Sequence, residues 1–393
     1  MKDDSREKRR RELLPRISLL ACLGLVVVSL GVALSPQTPE EPAEPPFSEQ
    51  ARSAALAETM RLRAAGEQLS QSPSADGQPA VARTVSLLTS QAQALLVPGL
   101  AEPGASPRTG NDTTSTAPAA AASAASASGS AAAPASGPAS SAAVPASGPA
   151  SSAAVPASAA ALAQELAASA SQRLADAAVA DGGMARLLAA VGTAQLLQAS
   201  ALAAAAGAPA PDVPDPAAPQ PSAPQPSGVC PSASASPSPV GASAGNDPVP
   251  ASLPAALAAT VETELETVYG YQVALTRLSG EAAAPASEQL ARHEALATGA
   301  EALSRMNCAP IPPREAGYTM APGFLASPSA GLGGLEASAL PVYGDLVALS
   351  DGETRQWAIS GLVGAARRTA IWGADAGALP GLAADPDTFP ELP

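Results

Sequence analysis

Two long tracts rich in Pro, Ala, Ser and Gly, residues 102–158 and 209–250, limit what this chain can fold into. The first holds PASGPASSAAV at 134–144 and repeats it at 145–155. Such segments cannot bury enough apolar surface to offset chain entropy, so both read as disordered linkers. Three stretches with folding potential remain: 47–101, 159–208 and 251–382. The aromatic residues rank them. There are nine in 393 residues; Phe47 stands apart, and the other eight lie between Tyr269 and Phe389. Large rings supply much of a core's buried area. The stretch after residue 250 is therefore the expected well-packed domain, and any core before it is built from Ala, Leu and Val.

The reading is all-α throughout. Helices are expected over 47–69 and 79–96, where Ala55, Leu56, Met60 and Leu62 recur at helical spacing on the first. Residues 159–208 read as a helical hairpin broken at Gly182-Gly183. Docking of these Ala-rich helices into a loose bundle and independent, surface-lying helices are equally open, since Ala buries little area. Four more helices are expected at 253–279, 286–306, 328–350 and 353–373, with breaks at Pro285, Pro310–Pro313 and Asp351-Gly352. Short loops inside each pair imply antiparallel hairpins, and the longer 307–327 segment joins them. That is a four-helix bundle of ordinary domain size over 251–382, followed by a tail at 383–393.

The N-terminus reads as a membrane device. Residues 1–16 carry seven Lys/Arg against four Asp/Glu, a net +3, with REKRRR at 6–11; the remainder carries 14 against 31, a net −17. Residues 17–35, ISLLACLGLVVVSLGVALS, hold no charge. At helical rise they reach roughly 28 Å, about the hydrocarbon thickness of a bilayer. Basic residues precede the span and are missing just after it. The positive-inside rule then gives a cytoplasmic 1–16, a single-pass anchor at 17–35, and an extracytoplasmic remainder that starts with the Pro-rich stalk 36–46. An uncleaved anchor is favoured over cleavage at Ala33-Leu34-Ser35. It is favoured further over lipidation at Cys22, which sits too early in the apolar run. Outside the cell, Cys230 and Cys308 are candidates for a disulfide, with two unpaired thiols as the alternative. The acidic body excludes nucleic acid as a partner, because phosphate binding needs clustered cations.

Polar residues inside apolar stripes mark the candidate site. On the first helix of the C-terminal bundle, Leu257, Val261, Val268, Gln272 and Leu275 share a face, with Glu264 among them beside Tyr271. Glu262 and Glu266 fall on the solvated side. On the second, His293, the single histidine, lies among Leu290, Leu296, Ala297, Ala300 and Leu303. On the third, Glu336 lies among Leu332, Leu335, Ala339, Leu340, Tyr343 and Leu346. The fourth turns Ala358, Leu362, Ala365, Thr369 and Trp372 inward, with Arg367 and Arg368 to the sides. A carboxylate in an apolar stripe must be paired, protonated or metal-bound, because burying it alone is costly. Two readings follow. Glu264, Tyr271, His293, Glu336 and Tyr343 form a buried polar network that fixes helix register, or Glu264, His293 and Glu336 hold one metal ion, iron or another divalent cation. The first is favoured, with no cofactor.

Residues 253–382 resemble an uncharacterised ferritin-like domain family of unknown function, found mainly in high-G+C Gram-positive bacteria. The resemblance rests on Glu264 with Tyr269-Gly270-Tyr271, on His293, on Glu336 with Val342-Tyr343, on Trp372 and on Pro380-Gly381-Leu382. It implies a ferritin-like four-helix bundle and supplies no reaction. The family's arginines after the histidine are replaced here by Glu294, Leu296 and Ala297. A ferritin-like di-iron centre takes a Glu from each of two helices and a Glu-x-x-His from each of the other two. Here Leu290 stands three residues before His293, and the fourth helix offers neither Glu nor His inward, which argues against a pair of irons. No nucleophile elbow or Gly-rich phosphate loop is present. The expectation is a membrane-anchored protein of the cell envelope with a structural or interaction role, possible partners being another protein or a second copy, and no catalysis of its own. The alternative is a metal-binding or redox protein with a reduced, mononuclear site.

Overall fold

The computed structural model describes residues 44–71, 78–96, 156, 158–212, 251–382 and 388–392. The basic tail, the anchor 17–35, Cys22, Cys230, the repeat and nearly all of both linkers lie outside them. Among the described residues the chain is all helical. The eight helices are α1 (Phe47–Ser70), α2 (Gln78–Leu96), α3 (Ala159–Val179), α4 (Gly182–Ala205), α5 (Leu253–Leu275), α6 (Ala283–Met306), α7 (Pro328–Leu349) and α8 (Gly352–Ile371). One short 3₁₀ turn, Gly280–Ala282, precedes α6.

Local chemistry sets the helix ends. Ser158 caps α3, its hydroxyl accepting from the Ala161 amide at 3.1 Å, as short polar side chains do at an N-cap. Pro254 and Pro328 stand in the first turns of α5 and α7, where an amide has no partner to lose. Pro285 behaves likewise. The expected break there does not occur: the residue falls in the first turn of α6, which starts at Ala283. α5 stops at Leu275, four residues short of expectation, where the Thr276 hydroxyl bonds back to the Val273 carbonyl and Gly280 turns the chain at φ +62. Past α6, the Ala309 amide bonds to the Ser304 carbonyl at 2.8 Å. This is a Schellman closure, whose left-handed position normally belongs to glycine. Cys308 occupies it instead, at φ +52, and is disulfide-bonded.

The helices build two bundles. In the first, α1 pairs with α2 and α3 with α4, and α1–α3 and α2–α4 contacts close it. In the second, α5 pairs with α6 and α7 with α8, and α5 packs on α7. The bundles share a core. Leu174, Leu187, Leu188 and Val191 from the first join Leu340, Tyr343, Leu346, Val347, Leu362 and Val363 from the second in one apolar cluster. All eight helices fall in one compact unit that runs from Phe47 onward. Close backbone approach replaces bulk at the junction: a Cβ on Gly182 would lie 2.3 Å from the Ala348 carbonyl oxygen. Arg186 donates through Nε to the Gly381 carbonyl at 2.8 Å, and Gln91 donates to the Ala378 carbonyl at 3.1 Å. Phe389, expected in a tail, is buried in this shared core.

Residues 182–205 are also long and apolar enough to cross a membrane, a stretch the sequence reading does not count as a span. In the fold, 72% of its apolar window is buried. A bundle's central helix meets the same criterion of length and composition, and α4 is that helix.

Candidate functional site

The second bundle gathers one buried charged side chain from each helix at its centre: Glu264 of α5, His293 of α6, Glu336 of α7 and Arg368 of α8; Arg355 of α8 is buried apart from them, against the Ala180 carbonyl. The first three are 0% exposed and Arg368 is 3% exposed. His293 stands between the carboxylates. Its Nδ1 lies 2.7 Å from Glu264 Oε2 and its Nε2 lies 2.8 Å from Glu336 Oε1. The Tyr271 hydroxyl donates to Glu336 Oε1 at 2.7 Å and the Tyr343 hydroxyl to Glu264 Oε1 at 2.6 Å. Arg368 donates through Nε to Glu336 Oε2 at 2.8 Å, and the Trp372 indole donates to the Tyr271 hydroxyl at 2.6 Å.

Protonation follows from this geometry. An ionised carboxylate only accepts, and a neutral imidazole has one donor and one acceptor. Both ring nitrogens of His293 face carboxylate oxygens, so the imidazolium satisfies both contacts at once. Burial opposes that charge, but the hydrogen bonds to Glu264 and Glu336 outweigh it and raise the histidine above its ordinary value. Burial likewise opposes ionisation of Glu336, and the contacts from His293 and Arg368 outweigh that and hold it below its ordinary value. Burial, then the neighbouring carboxylates, push both tyrosines up, so they stay neutral donors. Burial lowers Arg368, but the Glu336 charge more than compensates and its value rises. The result is two carboxylates, one imidazolium and one guanidinium, an electroneutral quartet in which each charge has an opposite neighbour. Low local dielectric makes such contacts strong and an unmatched member costly.

Glycines make room for the rings around the quartet. A Cβ on Gly361 would lie 2.0 Å from Tyr343 Cε1, so α8 can accept that phenol only where it has no side chain. Gly299 faces the Trp357 indole, whose centroid is 5.7 Å from that of Tyr343. Tyr271 packs on His293 at 5.1 Å and on Trp372 at 6.1 Å between centroids.

The five residues that the sequence singled out for a network thus lie in one set of contacts, and two more join them. Arg368, expected at the side of its helix, is buried and paired. Trp372, expected inward but without a role, supplies a donor. The helical wheel also misjudged part of α5: Gln272 is exposed, and Ala274 with Tyr271 takes the inward place. Cys308 lies past the end of α6, outside the quartet, and is disulfide-bonded.

The donor set does not fit a metal ion. The two carboxylates sit at opposite edges of the imidazole, so binding one ion with all three would require the ring to release at least one of them. The unmatched atom at the centre is Arg368 Nη2, buried and without a hydrogen-bond partner. It is a cationic donor, and cations do not ligate cations. Among the described residues, no group of three His, Cys, Asp or Glu is arranged to hold a metal.

A family model described as a domain of unknown function (DUF4439) matches residues 256–384, the whole quartet included. That span is similar to an uncharacterised family, and the first bundle lies outside the match. No curated protein and no solved structure matches the chain.

Proposed function

We propose that this is a single-pass envelope protein, anchored by residues 17–35, that carries a degenerate ferritin-like bundle with a structural or interaction role and no catalysis of its own. The observation that carries the reading is the sealed, electroneutral quartet. Every charge in it is matched from within the bundle, and Glu264, His293 and Glu336 have no exposure through which a substrate could be met. Groups arranged for chemistry at a substrate need an open face. Here all four helices contribute one charge to a closed centre, which sets their register. Lys and Arg clustered before residue 17 and missing just after residue 35 support an extracytoplasmic body, and the uncharged 17–35 stretch after REKRRR supports the anchor.

The rival reading is a mononuclear metal or redox centre at Glu264, His293 and Glu336. It requires breaking either the 2.7 Å or the 2.8 Å contact of the histidine. Elemental analysis of the full chain, purified in mild detergent without chelators, separates the two. Less than 0.1 metal per chain, on the order of trace occupancy, is expected in both the wild type and Glu264→Ala. Stoichiometric metal in the wild type that disappears in the variant would replace this proposal with its rival.

A further inference from the structure

We infer that the chain is an internal duplicate: α1–α4 and α5–α8 are two copies of one four-helix unit joined face to face through their second hairpins, so that the α7–α8 face is a docking surface for another copy of its own unit.

The first support is the spacing of elements. The loop inside the first hairpin is 71–77 in one bundle and 276–282 in the other, equal in length. The break inside the second hairpin is 180–181 in one and 350–351 in the other, again equal. Both breaks place an aspartate in extended backbone directly before a glycine that opens the next helix: Asp181-Gly182 at φ −66, and Asp351-Gly352 at φ −141. In both bundles the longest connection joins the second and third helices, 97–158 and 307–327. Helix pairing agrees in part: each bundle is two antiparallel hairpins whose first and third helices also pack, while the α2–α4 packing of the first has no counterpart of that extent between α6 and α8.

The second support is that equivalent positions are buried in both. Counting from the shared loops, Glu264 falls on Thr59, His293 on Leu88 and Glu336 on Leu166, all three 0% exposed. Arg368 falls on Gln198, whose amide donates to Thr84 at 2.8 Å. The first bundle therefore keeps three of the four inward positions fully buried, with Gln198 half-buried, and holds neutral residues at all four. That is the concerted change expected where removing one member alone would strand a buried charge.

The third support is the interface. In a two-fold contact, element i of one copy meets j of the other while j meets i. Here α4 packs on α7, its counterpart pair α3 packs on α8, and α4 meets α8 between them. One arginine from each bundle's fourth helix crosses the junction, at neighbouring and not equivalent positions: counted from the shared break, Arg186 falls on Gln356 and Arg355 on Ala185. Arg186 of the first bundle's fourth helix reaches the Gly381 carbonyl in the second. Arg355 of the second bundle's fourth helix reaches the Ala180 carbonyl in the first. A face that is covered in this chain by a diverged copy of its own unit is shaped for that unit.

The test opens the face in the full chain. Gly182→Leu places a side chain where even a Cβ would lie 2.3 Å from the Ala348 carbonyl oxygen, driving the first bundle off α7. Particle mass in mild detergent, measured by light scattering, is expected to double relative to the wild type, with faster amide hydrogen exchange confined to α3–α4. The control is Gly334→Leu, on an exposed part of α7 with nothing within 4 Å; it is expected to leave the mass unchanged. An undoubled Gly182→Leu overturns the inference in either form. If α7–α8 becomes open to exchange yet takes no second copy, the face does not fit its own unit. If the bundles stay shut, Gly182 is not the close approach of a two-fold junction. Equal doubling in the control overturns it too, because association would then be nonspecific.

Discussion

Replacing Arg368 by methionine tests the logic of the buried quartet directly. Methionine keeps most of the length and apolar volume of the stem and removes the guanidinium. Glu336 Oε2 then loses its 2.8 Å partner in a place with no exposure. The centre changes from neutral to a net −1, with one imidazolium left between two carboxylates. Breaking a buried pair from one side costs about 3–5 kcal/mol, most of it the stranded charge. For a folded body of this size, thermal unfolding shifts by about 2–4 °C per kcal/mol, so Tm should fall by about 6–20 °C. The decisive comparison is the double variant Arg368→Met with Glu336→Gln. It leaves the His293–Glu264 pair neutral on its own, so it should be no less stable than Arg368→Met alone, a non-additive result that only coupled residues give. Circular dichroism melts of the wild type, both single variants and the double variant at one pH provide the cycle. A loss under about 1 kcal/mol for Arg368→Met, or a double variant that sums the singles, would refute the reasoning.

Two further predictions concern the same centre. The folded His293 titrates above its ordinary 6.5, so its contribution is complete below that value and is lost as pH rises through the folded value. Glu336 titrates below its ordinary 4.5, so its contribution is present above 4.5 and lost as pH falls through the folded value. Urea midpoints should therefore be highest between those two values and decline on either side, and His293→Gln should flatten the alkaline decline; an unchanged alkaline limb in that variant would contradict the assignment. Gly361→Ala should destabilise by about 1–3 kcal/mol through overpacking. Since its Cβ would lie 2.0 Å from the Tyr343 ring, the near-ultraviolet tyrosine signal should change with it, and an unaltered spectrum would mean that the ring is not held there.

The helices were legible because apolar spacing and proline or glycine breaks announce them, and seven of the eight lie within about three residues of their expected bounds. α5 is the exception, since a Thr276 hydroxyl bonded to its own helix end leaves no mark in apolar periodicity. Glu264, His293 and Glu336 stood out because each interrupts a stripe of Leu and Ala. Arg368 did not. It lies beside Thr369 at the flank of the stripe, and a long cation there ordinarily snorkels to water. Charge balance was the usable signal: two inward carboxylates and one imidazole demand another cation, and α8 offers Arg367 and Arg368 as neighbours. The docking of the first bundle was hidden for a different reason. Beside the Leu and Val side chains of the shared core, its closest contacts are made by Gly182, Ala180 and backbone carbonyls, and small residues carry no apolar period strong enough to read. Arg186 and Arg355, which tie the junction to carbonyl oxygens, look like ordinary surface cations in one dimension.

The placement of one charge on each of four helices also governs how the second bundle comes together. A hairpin of α5 and α6 brings the imidazolium to one acid, and the other acid and the guanidinium arrive only with α7 and α8, across the 307–327 connection. With three helices seated, the second acid still faces water on the open side; seating the last helix removes that water and supplies the guanidinium in its place. The gain from that pairing comes only with the complete bundle.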